Sequence, residues 1–117
     1  MNFLKSLGFA SEGLFEMVSN HNNFRLQIVV GLFAMSAGLF FQLNISEWTA
    51  LILVSGLVLV TEMANSSIEA MVDLITKERK QEAKKAKDIA AGMVFLASGL
   101  SIIIGILVFG PYLMKLL

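Results

Sequence analysis

The chain has 117 residues, no cysteine, a formal net charge of zero and 56% hydrophobic residues, with a mean hydropathy of +0.76. This composition is too apolar for a soluble domain of this size and indicates an integral membrane protein. Because no thiol is present, the chain can form no disulfide, no thiolate metal site and no cysteine nucleophile.

The amino-terminal segment, residues 3–19, mixes apolar and polar side chains. Its glycines and glutamates interrupt the continuous apolar centre that a cleavable signal peptide needs. We predict an amphipathic helix that lies in the membrane interface. The polar cluster at residues 19–23 predicts a turn and an N-cap side chain for the next helix.

Three apolar stretches follow, and each is long enough to cross a membrane. We predict spans at about residues 24–43, 47–75 and 86–110 of one membrane domain, 1–117. The short link at 42–47 makes the first two spans antiparallel neighbours, and Ser46 is the predicted cap of the second. The expected fold is an all-α membrane protein with an interfacial helix and three transmembrane helices.

The distribution of basic residues predicts the orientation of the chain. Six of the nine Lys and Arg residues lie between Thr76 and Asp88, whereas the link at 42–47 has none. Cytoplasmic loops are enriched in Lys and Arg, so the amino terminus and the basic loop are predicted to be cytoplasmic.

The cytoplasmic end of the second span carries a polar stripe. At 100° per residue, Glu62, Asn65, Glu69 and Asp73 fall within an arc of roughly 80° and extend over about 16 Å of helix. A carboxylate at bilayer depth costs a few kcal/mol, so it normally faces protein, water or an ion and marks a site. Asp73 alone is equally well explained as an ordinary interfacial acid, but three acids and an amide on one stripe indicate function.

The available side chains restrict the chemistry. Standard nucleotide-binding loops and paired-histidine zinc motifs are absent from the sequence, and His21 is the single histidine. Carboxylates beside a basic segment suit a general base, Mg²⁺ ligands and phosphate-binding cations, which is the inventory of phosphoryl transfer. The residues alone therefore indicate a carboxylate site at the cytoplasmic membrane surface.

The stripe lies within a longer motif, Glu62-x-x-Asn65-Ser66-x-Ile68-Glu69-x-x-Val72-Asp73, which is followed by Ala86-Lys87-Asp88. This arrangement closely resembles the signature of the bacterial integral-membrane diacylglycerol kinase family, which includes the undecaprenol kinases of Gram-positive bacteria. The resemblance covers nearly the whole chain, including Gly13 and the Asn-Phe-Arg sequence at residues 23–25.

The resemblance implies a homotrimer of three-span subunits in the bacterial cytoplasmic membrane, with active sites shared between neighbours. It implies transfer of the γ-phosphoryl group of MgATP to a lipid hydroxyl, so the expected cofactor is Mg²⁺ and the expected partners are ATP and a membrane lipid. We expect no nucleic-acid partner.

The resemblance also implies roles for individual residues. Glu62 is the expected general base, and Asn65 is expected to position substrate or phosphate. Glu62 and Ser66 are expected beside the lipid. The residues expected to bind the nucleotide are Glu69, Asp73, Lys87 and Asp88.

The metal is expected at Glu69 and His21. His21 departs from the family pattern, because that position usually carries a second metal-binding glutamate. A neutral imidazole can still ligate a divalent cation, although it favours borderline metals over Mg²⁺. A solvated turn histidine is an equally good interpretation.

Three functions remain to be compared. An ATP-dependent lipid kinase is favoured, with undecaprenol slightly ahead of diacylglycerol as the acceptor. A small proton-coupled exporter is disfavoured, because it would need four spans and an acid in the first. A catalytically impaired relative with a structural or regulatory membrane role is the alternative that His21 suggests.

Overall fold

The computed structural model describes residues 2–117, and all regular structure in this range is helical. The four helices are α1 (Phe3–Asn20), α2 (Asn22–Phe41), α3 (Ile45–Ile75) and α4 (Gln81–Leu116). By length and composition, α2, α3 and α4 are each able to cross a membrane. The predicted all-α fold with three transmembrane helices is therefore confirmed.

The corner between α1 and α2 consists of one residue, His21, whose backbone is extended. The Arg25 guanidinium donates hydrogen bonds to the carbonyl oxygens of Val18, at 3.0 Å, and Ser19, at 2.8 Å, and a further one to the Asn22 side chain. These carbonyls belong to the last turn of α1, which lacks partners within its own helix. Arg25 therefore fixes the angle at which α1 meets α2.

The helix caps differ from those predicted. Asn44, not Ser46, caps α3: its side chain accepts from the Glu47 amide at 2.9 Å, and the Glu47 carboxylate accepts from the Asn44 amide at 3.0 Å. This reciprocal pair satisfies two amides at once, which a serine inside the first turn could not do. At the start of α2, His21 is the N-cap and makes no side-chain capping bond, so the predicted cap was also wrong there.

Helix α4 is longer than the predicted third span at both ends. It begins at Gln81, inside the basic segment, and continues past Pro111 to Leu116. The basic segment is rich in Lys, Ala, Glu and Gln, which are strong helix formers. Pro111 removes one backbone donor but does not end the helix.

Helix α3 is the central element and packs against both α2 and α4. Near its amino-terminal end, Leu43, Leu51 and Val108 form a small apolar core. Trp48 packs onto Gly38 of α2, where an added Cβ would lie only 2.7 Å from the indole ring. The close approach of α2 and α3 therefore depends on a glycine at this position.

Candidate active site

The polar stripe predicted on α3 lies on a continuous helix, and its acids are buried at Glu62 and exposed at Glu69 and Asp73. Glu62 is only 7% exposed and is the one buried acidic residue in the described range 2–117. Glu69 and Asp73 are exposed in the single chain. The stripe thus begins at a buried carboxylate and ends at solvent-exposed carboxylates.

His21 lies next to the stripe, because its Nδ1 atom is 3.3 Å from Oγ of Ser66, one turn after Glu62. Glu69 is two turns further along the same helix, whereas His21 comes from the corner between α1 and α2. The fold therefore brings the histidine to the buried end of the stripe, as required if both are to serve one site.

Asn65 contributes an unsatisfied acceptor. Its Oδ1 atom is enclosed by the protein and has no hydrogen-bond partner. An unpaired buried carbonyl of this kind costs about 1–3 kcal/mol, and such atoms in native proteins usually meet a ligand or water. The orphaned oxygen lies between Glu62 and Glu69 along the stripe, where a bound group could satisfy it.

Ser66 connects the stripe to the corner. Its Oγ atom lies 3.3 Å from Nδ1 of His21, although the two residues are 45 positions apart in sequence. Both side chains are half-buried. The contact joins α3 to the junction of α1 and α2 at the height of Glu62 and Glu69.

The far end of the stripe is joined to α4. Nζ of Lys87 donates to the Asp73 carboxylate at 2.7 Å, with both side chains about half exposed. Asp88 instead accepts from Lys84 of its own helix at 2.6 Å. These residues line a cleft of about 770 Å³ between the end of α3 and the start of α4.

The residues present fit a Mg²⁺ ion bound together with a substrate. Among residues 2–117, no three His, Asp or Glu side chains are grouped closely enough to hold a metal by themselves. Mg²⁺ commonly takes only one or two carboxylates and completes its coordination with water and substrate phosphates. Glu69, with the unpartnered Asn65 oxygen one turn before it, provides a donor set of that kind.

Among the inter-helix contacts that were not predicted from the sequence, two join residues more than 40 positions apart. One is the contact between Ser66 and His21; the other is the hydrogen bond from the Tyr112 hydroxyl to the Glu47 carboxylate, at 2.6 Å. The position of Ser66 one turn after Glu62 is readable from helical spacing, but the partner on another helix is not. Tyr112 gives no local signal, because its partner lies 65 residues earlier.

Comparison with known proteins places the chain in a family. The model of the family described as "Prokaryotic diacylglycerol kinase" matches residues 8–109. The chain belongs to this prokaryotic diacylglycerol kinase family. The resemblance found in the sequence is thereby confirmed.

Several curated relatives match nearly the whole chain. "Undecaprenol kinase" of Bacillus subtilis is 37% identical over 111 residues, which is 95% of this chain and 90% of the relative. "Diacylglycerol kinase" of Synechocystis sp. is 33% identical, covering 99% of this chain and 67% of the relative. "Diacylglycerol kinase" of Helicobacter pylori is 34% identical, with coverages of 96% and 84%.

Membership of the prokaryotic diacylglycerol kinase family makes the chain a lipid kinase and a membrane protein. The predicted enzyme class is confirmed, and a kinase requires ATP as its co-substrate. Three apolar helices agree with a catalyst that works on a lipid.

Proposed function

We propose that the chain transfers the γ-phosphoryl group of MgATP to the hydroxyl group of a membrane lipid, with undecaprenol slightly favoured over diacylglycerol. The observation that carries the proposal is the stripe on α3. At one end it holds a buried carboxylate, Glu62, and at the other it opens into the cleft beside Lys87. An apolar acceptor and a water-soluble donor can thus approach the same face of the helix from opposite ends of the stripe.

Glu62 acts as the general base. Its carboxylate accepts the proton of the lipid hydroxyl while the hydroxyl oxygen forms a bond to the γ-phosphorus. The bond between that phosphorus and the β–γ bridging oxygen breaks, and ADP leaves. Burial of Glu62 supports this role, because an acceptor carried by a lipid reaches the site from the apolar side.

The nucleotide binds in the cleft formed by α3 and α4. The Lys87 ammonium neutralises phosphate charge, while Asp73 holds that ammonium in place at 2.7 Å. Glu69 and Asp88 are the remaining residues of the nucleotide-binding part of the site. Asn65 positions substrate or phosphate: its free amide oxygen can accept from a substrate hydroxyl, and its amide NH2 group can donate to a phosphate.

Mg²⁺ would be held by Glu69 and His21, and it would supply positive charge that offsets the charges of the β- and γ-phosphates. His21 keeps one ring nitrogen, Nε2, that is not engaged by Ser66. An imidazole ligand increases the affinity for borderline cations such as Mn²⁺ or Zn²⁺ relative to Mg²⁺. We therefore expect the metal preference to be broader than in a site built from carboxylates alone.

The acceptor meets Glu62 and Ser66. Undecaprenol is favoured because the relative named undecaprenol kinase is 37% identical to the chain, compared with 33% and 34% for two relatives named diacylglycerol kinase. The difference in identity is small, so direct measurement with both lipids has to decide between them.

The active assembly is a homotrimer in the bacterial cytoplasmic membrane, with sites shared between subunits and the amino terminus in the cytoplasm. A single chain leaves Glu69 exposed and has an apolar groove of about 880 Å³ along α2, α3 and α4. The basic loop supports the orientation, since Lys and Arg accumulate on the cytoplasmic side.

Transfer of ³²P from γ-labelled ATP tests the proposal directly. Purified protein in mixed micelles with Mg²⁺ is offered undecaprenol and diacylglycerol separately. We expect lipid labelling that falls by at least roughly 100-fold in Glu62→Gln, which keeps the shape of the side chain and removes the base. Glu16→Gln, on the exposed face of α1, is the matched control and should retain activity.

The same assay tests the catalytically impaired alternative. Folded trimeric protein that labels neither lipid, with Mn²⁺ and Zn²⁺ tried as well, would contradict the kinase proposal for these acceptors. In that case His21→Glu is decisive: activity gained by this variant identifies an impaired kinase. If His21→Glu instead reduces a robust activity, His21 is an adapted part of the site.

A further inference from the structure

The corner between α1 and α2 is held by hydrogen bonds and apolar burial, and its His21 side chain contacts α3. Arg25 binds the carbonyl oxygens at the end of α1, and Met17 and Phe24, on either side of His21, are buried at 6% and 3% exposure. The bond between His21 and Ser66 is the only side-chain hydrogen bond between this corner and α3 in residues 2–117.

The hydrogen bond between His21 and Ser66 lies between two proposed functional residues of the stripe. Ser66 is one turn after Glu62 and one turn before Glu69, so it lies between the proposed base and the proposed metal ligand. A shift of the corner would therefore change the space beside Glu62, while Lys87 and Asp73 would keep their separate contact. The acceptor side and the nucleotide side of the site are held by different bonds.

Resting on the proposed function, we propose that His21 is a positioning residue. Through its hydrogen bond with Ser66, it holds the corner between α1 and α2 against α3 and thereby shapes the acceptor side of the site. The consequence is selective: loss of the bond weakens productive binding of the lipid, whereas ATP binding is unchanged. A residue that served only as a metal ligand would act on the nucleotide side instead.

Three substitutions separate positioning from metal ligation. Ser66→Ala removes the bond but leaves both ring nitrogens. His21→Asn places an amide where Nδ1 stood, so it keeps a partner for Ser66 and removes Nε2. His21→Phe keeps a ring and removes both nitrogens. Ser67→Ala, the exposed neighbour with no hydrogen bond, is the matched control.

Steady-state kinetics in mixed micelles should show one pattern. Ser66→Ala raises the KM for the lipid roughly threefold to tenfold, the range expected for one hydrogen bond, and leaves the KM for ATP unchanged. His21→Phe raises the KM for the lipid by the same factor, and it also raises the KM for MgATP because it removes the proposed metal ligand Nε2. The double variant is no worse than His21→Phe, because both changes remove the same bond. His21→Asn keeps the wild-type KM for the lipid, and a rise in its KM for MgATP reports the loss of Nε2 alone. Ser67→Ala keeps both KM values of the wild type.

Other patterns overturn the proposal. If Ser66→Ala has no effect and His21→Asn is as damaging as His21→Phe, the imidazole acts through Nε2 alone. If the effects of the single variants add in the double variant, the two residues act independently. Wild-type protein that labels no lipid overturns the proposed function as well, whereas normal labelling with an unaltered lipid KM in Ser66→Ala overturns only the positioning role.

A spectroscopic readout tests the contact without turnover. His21 is the only histidine in the chain, so protein labelled with ¹⁵N-histidine gives signals from one imidazole. In metal-free micelles we expect Ser66→Ala to change the Nδ1 chemical shift and the tautomer balance, while Ser67→Ala leaves both unchanged. Identical spectra for the wild type and Ser66→Ala would overturn the proposal.

Discussion

Individual acids along α3 differ mainly in their access to water. Glu62 is 7% exposed, whereas the side chain of Asp73 is 56% exposed. The two residues are three helical turns apart on one face, so the difference arises from what packs around them rather than from their own chemistry. The buried Glu62 carboxylate suits proton acceptance from a lipid hydroxyl. The solvent-exposed Asp73 carboxylate suits holding the Lys87 ammonium group beside phosphates.

Lys87 gives a prediction at the scale of a residue. Lys87→Met should raise the KM for ATP roughly tenfold or more, because a hydrogen bond from a charged donor contributes about 1.5–3 kcal/mol. Stability should change little, since the pair with Asp73 is half exposed and such pairs contribute about 0–1 kcal/mol. Kinetics at saturating lipid, together with thermal unfolding, measure both effects.

Lys85→Met is the control for Lys87→Met. Lys85 is exposed and makes no ion pair within residues 2–117. An equal rise in the KM for ATP in both variants would show that only the overall charge of the basic segment matters, and it would contradict a specific role for Lys87.

The spacing of the acids could be read from the sequence, because helical periodicity alone places Glu62, Asn65 and Glu69 on one face. Their environments could not. Burial of Glu62 depends on neighbouring elements, and the bond between Ser66 and His21 joins residues 45 positions apart. The sequence also did not determine the partner of Asp88, which is Lys84, one turn earlier in α4.

At the scale of the element, α2 and α3 form a helical hairpin whose closeness depends on Gly38. The Gly38 carbonyl also accepts from the amides of Gln42 and Leu43, which ends α2. Gln42 takes the left-handed conformation, φ 55°, and turns the chain towards α3. One residue thus both terminates α2 and receives the Trp48 ring of α3.

Gly38→Val tests the hairpin. The added side chain would collide with the Trp48 ring, 2.7 Å from the Cβ position, and such overpacking costs about 1–3 kcal/mol. We expect a lower Tm in micelles. Gly31→Ala, in the same helix with no atom within 4 Å of an added Cβ, should leave the Tm unchanged or raise it slightly. Equal Tm values for the two variants would contradict the packing explanation.

The length of the apolar stretches was enough to predict the three membrane-spanning helices, but it did not predict the residues at which they begin and end. For α3, Ser46 and Asn44 are both acceptable caps by residue type, and Asn44 is selected because Glu47 lies three residues after it. For α4, the charge run was interpreted as a loop, although its composition is compatible with a helix. In the structure this first part of α4 lies beside the end of α3, where Lys87 donates to Asp73.

At the scale of the whole molecule, a single chain is a thin bundle. Its dimensions are 54 × 38 × 22 Å, and most large apolar side chains of the three spans are exposed. Lipid can cover many of these side chains. The polar stripe needs protein or water instead, and this need supports the proposed trimer.

Subunit mixing tests whether sites are shared. Glu62→Gln and Lys87→Met are each expected to be impaired alone. If one site takes Glu62 from one subunit and Lys87 from the next, equal mixing before trimer assembly should restore on the order of a quarter of the wild-type activity. Labelling of lipid after co-reconstitution measures this recovery, and no recovery above the separate variants would argue that each site lies within one chain.

The continuity of α3 has a consequence for how the chain can vary in length. From Glu62 to Asp73 the helix has no break, so one inserted residue would turn every later side chain by about 100° and move it by 1.5 Å. Glu62 would then no longer share a face with Glu69. The non-helical residues 76–80 can absorb an insertion without such a change. Functional relatives should therefore tolerate insertions and deletions between α3 and α4 and exclude them from the segment between Glu62 and Asp73, where the helix keeps the acids on one face.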